Sequence, residues 1–221
     1  MNEYFIREAS FSDLSFISTV VVLAEKSNSD KLSFSTLFNL SENKVKELIV
    51  SMFEEEIEGC EFDLKNYLVV EYEGEAVAAF GSWIEGYNGN MPSKILKSNL
   101  IGHTFGRECV EFLRTKSLII KDILAEREGL ALQFEYLFVS EKHRGKKLAN
   151  LLIQKLEERA LKGYPELKKA QVQVYKNNIQ AIKVYENCGF KIAKSFASTH
   201  PEVMDYLPFN EKYIMEKNYL K

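Results

Sequence analysis

Cysteine, histidine and proline are scarce in this chain, at three, three and four residues of 221. Cys60, Cys109 and Cys188 are odd in number, scattered, and form no CxxC pair. Neither a disulfide framework nor a zinc site is indicated, and reduced thiols packed as small apolar groups are the expectation. The three histidines, His103, His143 and His200, also lie far from one another, so no metal is expected. No apolar run approaches the length needed to cross a bilayer, and Met1 to Arg7 lack a signal-peptide pattern. Those absences point to a cytoplasmic protein with no membrane partner. There is no basic excess either: 29 basic against 32 acidic residues give a net charge of −3, which argues against a nucleic-acid partner. Without repeats, low-complexity tracts or linkers, a single domain spanning 1–221 is the simplest account.

What is present centres on Phe134 to Phe190. A strand, Phe134–Val139, feeds the basic turn His143-Arg144-Gly145-Lys146-Lys147-Leu148-Ala149. That turn opens a helix with Leu148, Leu151, Leu152, Leu156 and Ala160 on one face. A second strand, Ala170 to Tyr175, precedes a short helix that ends at Gly189-Phe190. A basic, Gly-containing turn at a helix start favours a small anion, because free N–H groups and the positive dipole end converge there.

Around this centre the chain reads as α/β. Tyr4 to Glu8 is a first strand, Ser12-Asp13 caps a first helix, and Ser27 to Asp30 breaks it. Ser41 caps a second helix carrying Val45, Leu48, Ile49, Met52, Phe53 and Ile57. Its polar end, Glu54 to Asp63, reads as a solvated acidic face or as a collar for a cationic acceptor. Tyr67–Tyr72 and Glu75–Ile84 form a hairpin about Glu73-Gly74. Pro92 opens helical stretches that run to about Glu126. Together they make an insertion over 86–128, between the third and fourth strands, which is expected near the sheet's mouth and could act as a lid. Lys191 to Ala197, a loop over 198–210 and a last strand at Tyr213–Glu216 complete the chain.

Two stretches resemble the GNAT superfamily of acetyl-CoA-dependent N-acetyltransferases. The family's pyrophosphate loop, Arg/Gln-x-x-Gly-x-Gly/Ala, stands here as Arg144-Gly145-Lys146-Lys147-Leu148-Ala149, with Lys147 where glycine is expected. The second signature, Asn-x-x-Ala-x-x-x-Tyr-(x)3-Gly-Phe, is present as Asn178, Ala181, Tyr185, Gly189 and Phe190. The resemblance implies an α/β (α+β) fold with a mixed, mostly antiparallel sheet whose fourth and fifth strands splay around acetyl-CoA. It further implies cosubstrate contacts from Leu137, Phe138 and Val139, from Arg144 through Ala149, and from Asn178. Homodimers are common among such enzymes.

Acetyl transfer to an amine needs a neutral nucleophile, although a lysine-like ammonium has a pKa near ~10.4, and a proton for the departing thiolate. Glu135 is the candidate base. Regular strand alternation would put it on one face with Gln133, Leu137 and Val139, and an acid in so apolar a strand needs water or a partner. Tyr185, a phenol protonated at neutral pH, is the candidate acid. Asn178 caps its helix or bonds the pantetheine arm. His143 reads as a surface residue, Cys188 lacks an activating partner, and Gln171, Gln173 and Tyr175 share one strand face toward the acceptor. The alternative function is a non-catalytic acyl-CoA-binding or sensor module, against which Glu135 and Tyr185 together speak. A dinucleotide or nucleotide enzyme using Arg144 to Ala149 as a phosphate loop is a poor reading, because the GxGxxG and GxxxxGK[ST] spacings and an acidic ribose-ligand pattern are lacking.

Overall fold

In the computed structural model, which describes residues 3–219, the period-2 runs become seven strands. They are β1 (Phe5–Glu8), β2 (Tyr67–Tyr72), β3 (Glu75–Ile84), β4 (Leu132–Val139), β5 (Lys169–Tyr175), β6 (Lys191–Ala197) and β7 (Glu211–Asn218). Helices α1 (Leu14–Lys26), α2 (Ser33–Phe38) and α3 (Glu42–Glu54) lie between the first two strands. The insertion supplies α4 (Ser93–Thr104) and α5 (Arg107–Ile120). Helices α6 (Leu148–Gly163), α7 (Ile179–Asn187) and the short α8 (Val203–Tyr206) follow β4, β5 and β6. Met1 and Asn2, part of the stretch read for a leader, lie outside the described residues, and no described helix is long and apolar enough to cross a membrane.

The sheet order is β1-β2-β3-β4-β5-β7-β6. Every neighbouring pair is antiparallel except β4 and β5. The mixed, mostly antiparallel sheet with a helical insertion between β3 and β4 is therefore as expected. Two details of the expectation change. Ser33–Phe38 forms a helical turn that no sequence period announces, and the stretch read as helical to Glu126 stops at Ile120, followed by a 3-10 turn at Lys121–Ile123.

Each face of the sheet buries its own core. On one side α1 to α4 press Ile17, Val21, Ile49, Phe53 and Phe105 onto Tyr67 and Tyr136. On the other, α6 and α7 bring Leu148, Leu152, Leu156 and Ile182 against Phe80, Phe134 and Phe190. Leu151, assigned to that stripe, is instead exposed, and Ile153 is buried in its place. The stripe of α3 behaves as its spacing dictates: Ser41 accepts from the Lys44 amide, and Val45, Ile49, Met52 and Phe53 are fully buried. Burying such side chains contributes about 1.5–3 kcal/mol each. A third cluster joins Ile119, Ile120 and Ile123 to Tyr175, Val203 and Leu207. It ties the insertion to the 198–210 loop, and Leu100, Ile101 and Phe105 tie the insertion to the main core. The insertion is therefore a packed wall of the molecule rather than a lid.

Candidate active site

The cleft begins where pairing between β4 and β5 stops. These parallel neighbours are registered only from Leu132–Phe134 to Ala170–Val172. Just beyond, Tyr136 adopts a left-handed backbone (φ 60°), and the register against β3 slips between Ala79 and Gly81. One extra residue on β4 makes a β-bulge, which bends the strand away from its neighbour. The β5-facing edge of Glu135–Val139 is left without a ladder partner in the sheet, so a bound chain can use it. The bulge also breaks the alternation expected of β4. Tyr136 and Phe138 pack on the α1 face, whereas Phe134, Leu137 and Val139 belong to the α6 face. Glu135 joins a polar cluster beside Tyr136, so it does not share a face with Leu137 and Val139.

The cleft holds about 790 Å³ and runs from the α1 face through the split to the start of α6. Glu135, Leu137, Phe138, Val139, Arg144, Gly145, Lys147, Leu148, Ala149, Asn178 and Tyr185 all line it. Of the residues expected there, Lys146 is exposed and does not. At the mouth, a 3-10 turn (Glu141–His143) leads into extended Arg144, then Gly145 (φ 76°) and Lys147 (φ 59°) reverse the chain into α6. Lys147 thus occupies the left-handed conformation that explains the family's glycine at this position. No side chain caps α6, so its first-turn amides are free to meet an anion. Arg144 Nε donates to the Val139 carbonyl (3.2 Å), fixing loop to strand. His143 is half-buried rather than on the surface, its Nδ1 3.0 Å from the Tyr4 hydroxyl and its ring edge-on to Tyr72.

Glu135 does not stand alone. Its Oε2 accepts from Arg127 Nη2 at 2.9 Å, and the same nitrogen reaches Glu61 Oε1 at 3.2 Å. Glu61 Oε1 also accepts from Lys97 Nζ at 2.9 Å, and that ammonium sits near the rings of Phe34, Phe62 and Tyr136. Both cations come from the insertion: Lys97 on α4, Arg127 on the segment returning to β4. Arg127 is further held by Ser93 Oγ and by stacking 4.9 Å above Trp83. Burial alone would raise the pKa of Glu61, but the charges of Arg127 and Lys97 overcome it and hold the carboxyl at about 2. Glu135 is pushed the other way. Burial raises its pKa, Arg127 opposes the rise, and repulsion from the ionised Glu61 reinforces it. Two acids sharing one guanidinium are thereby split in basicity, and Glu135 is the more basic of the pair.

On the far wall, Tyr185 is buried against Phe80 and Phe190, and burial raises its phenol pKa further, so it stays protonated. Asn178 performs the capping role: its Oδ1 accepts from the Ala181 amide, while its Nδ2 donates to Ser27 Oγ at 2.9 Å, bridging the cleft to the end of α1. The strand-face trio separates. Gln173 and Tyr175 line the cleft, but Gln171 is buried and spent on Gln133, the Glu128 amide and Glu216. Burial raises the thiol pKa of Cys188, and Asn150 Nδ2 lies 3.2 Å from its sulfur.

Sequence reasoning missed Arg127, Glu61, Lys97, Glu25 and Lys212, which surround Glu135 or line the same cleft. Glu61 had a readable signal, since Cys60-Glu61-Phe62 sets an acid between apolar neighbours. The rest of that acidic run does not form a collar. Glu54, Glu55, Glu56 and Glu58 are exposed and away from the cleft, and Asp63 is buried as a cap on the Lys65 amide.

The chain thus folds as a mixed sheet parted between its parallel neighbours, with uncapped helix amides at one end of the cleft and Glu135, one of two acids sharing Arg127, at the other. Residues 37–190 match the acetyltransferase (GNAT) family, and the chain belongs to that family of N-acetyltransferases. Among curated proteins none matches the chain. Solved structures of the same fold include an N-acetyltransferase from Staphylococcus aureus Mu50 (TM-score 0.64, 16% identity, covering 96% of this chain and 99% of that one). A ribosomal-protein-alanine N-acetyltransferase from Brucella melitensis superposes with a TM-score of 0.53 at 13% identity, covering 97% and 99%. A spermidine N-acetyltransferase chimera from Vibrio cholerae and hSSAT does so at 0.54 and 14%, covering 97% and 95%. At such identities the likeness establishes the fold.

Proposed function

We propose that the protein transfers an acetyl group from acetyl-CoA to a primary amine of a small molecule, peptide or protein, by direct attack in a ternary complex. The observation that carries this reading is that Glu135 on β4 and Tyr185 on α7 reach one cleft from its opposite walls, with the free amides of α6 at its mouth. The residues present suit the cosubstrate. Gly145, Lys147 and the α6 amides would receive its pyrophosphate, and the open edge of Leu137–Val139 would pair with its amide-bearing arm. When bound, acetyl-CoA supplies the thioester carbonyl.

Glu135 takes a proton from the incoming ammonium, directly or through water, so that a neutral amine forms the new C–N bond. Its raised pKa brings it closer to that task than an ordinary carboxylate. Arg127 holds the Glu135 carboxylate in place as a positioning residue. Tyr185 gives its proton to the sulfur as the C–S bond breaks; the second proton shed by the new amide nitrogen restores the phenol through water, and Glu135 returns its own proton to solvent. Amide donors along the β4 edge face the developing oxyanion. Holding both reactants side by side removes the need for a covalent enzyme intermediate.

The test is thiol release from acetyl-CoA over a panel of polyamines, amino acids, aminoglycosides and N-terminal peptides. Amine-dependent release that falls ten-fold or more in Tyr185→Phe is expected. Release that needs no amine, or that is unchanged in Tyr185→Phe, contradicts the scheme.

A further inference from the structure

Lys212, the second residue of β7, lies directly across from Tyr175 of β5 in the sheet register. It lines the cleft together with Glu25, Glu135, Gln173 and Tyr175. Its ammonium is steadied 4.5 Å above the Tyr175 ring and forms no ion pair among the described residues. Four other cations near it are matched, Arg127 by Glu61 and Glu135, Lys97 by Glu61, Lys26 by Glu42 and neighbouring Lys176 by Glu211, whereas Lys147, which also has no ion pair among the described residues, belongs to the opposite, α6 end of the cleft. Glu25 is itself occupied by the hydroxyls of Ser33 and Tyr136. A half-buried ammonium without an anion is costly, and burial accordingly lowers its pKa, although Glu25 and Glu135 partly support the charge and Lys97 and Arg127 oppose it.

We propose that Lys212 is the anion anchor of the acceptor subsite, and that the acceptor is an amine that also carries a carboxylate. The acceptor half of the cleft then has two poles. Glu135 attracts the amine, and Lys212, held in place on Tyr175, receives the carboxylate through a charge-assisted contact. The amine end is turned toward the thioester and the carboxylate end away from it. Because Tyr175 also belongs to the cluster that binds α5 to the 198–210 loop, the anchor is built on rigid packing rather than on a mobile side chain. This inference rests on the acetyl-transfer reading above and names the substrate class for the same site.

The experiment uses matched amines that differ only by the carboxylate: arginine with agmatine, ornithine with putrescine, and tyrosine with tyramine. Each is titrated calorimetrically into the full chain saturated with coenzyme A, so that binding is read independently of turnover. At least one carboxylate-bearing member is expected to bind about 10–100-fold more tightly than its decarboxylated partner. That preference should vanish in Lys212→Met and return in Lys212→Arg. Thiol release, measured in parallel, should show the loss in KM rather than in kcat. Equal affinities in the native protein for every pair, or a preference that survives Lys212→Met, overturn the proposal while leaving acetyl transfer standing. A fall in kcat for every amine overturns it in favour of Lys212 as a base, and a single acetyl adduct on Lys212 with acetyl-CoA alone overturns it in favour of self-modification. Absence of thiol release with intact carboxylate-selective binding would instead fault the reaction and retain the anchor.

Discussion

Replacing Lys147 with glycine should move stability and cosubstrate affinity in opposite directions. Lys147 enters α6 at φ 59°, a conformation that costs a non-glycine residue roughly 1–2 kcal/mol. Glycine adopts it freely but gives up about 0.5–1 kcal/mol through the greater freedom of its unfolded chain. The balance favours Lys147→Gly by about 0.5–1 kcal/mol, or roughly 1–4 °C in Tm for a domain of this size. A residue that has kept this strain should contribute something in return. Its ammonium borders the mouth where the pyrophosphate is proposed to lie. One solvated charge contact there corresponds to about a five-fold change in Kd at low salt. The assay is thermal and urea unfolding of the ligand-free protein, beside coenzyme A titrations at low and high ionic strength. The variant should be the more stable protein and the weaker binder, and its deficit should shrink as salt screens the contact. A Lys147→Gly protein that is no more stable refutes the strain argument. One that binds coenzyme A as tightly as the native protein at low salt refutes the placement of the pyrophosphate.

Two further outcomes follow from the wall around Glu135. A Cβ on Gly81 would lie 2.8 Å from Cζ of Tyr67, a fully buried ring whose hydroxyl donates to the Glu61 carbonyl. Gly81→Ala should therefore cost about 1–3 kcal/mol by overpacking, read as a lower urea midpoint, and an unchanged midpoint would contradict the fit. Glu61 is held at about 2, below the usual carboxylate value of 4.5. A depressed folded-state pKa contributes stability above the unfolded value and loses it as pH falls through that window. The native protein should lose stability between about pH 4.5 and 2, and Glu61→Gln, already weakened by about 3–5 kcal/mol through stranding Lys97 while Arg127 keeps Glu135, should show a shallower acid slope. Parallel acid unfolding curves for the two proteins would contradict the ion-pair assignment.

Local chemistry was legible and long-range pairing was not. The hairpin of β2 and β3 is fixed by its Glu73-Gly74 turn, both residues at positive φ, and the helix at Ser41 by its cap. The two motifs located the split because each is a stretch of contiguous backbone. In contrast, α2 has six residues and no side-chain cap, too few for a period to show. The bulge at Tyr136 lacks the glycine that would announce it, so alternation misassigned the face of Glu135. The ion pairs that tune Glu135 join Glu61 to Lys97 and Arg127 across 36 and 66 positions. Such pairing is a product of how the insertion packs, and no local spacing encodes it. The same holds for Lys212, whose isolation follows only from the order in which β7 slots between β5 and β6.

The pH dependence of kcat/KM for the best amine of the panel, in the native protein and in Glu135→Gln, tests the central claim most directly. The account predicts an acid limb in the native protein above the ordinary carboxylate pKa of ~4.3, because burial and the Glu61 charge both raise Glu135. It predicts a rate lower by about 10²–10⁴-fold in Glu135→Gln, without that limb. Superimposable profiles would remove Glu135 from the chemistry and leave it as the structural partner of Arg127.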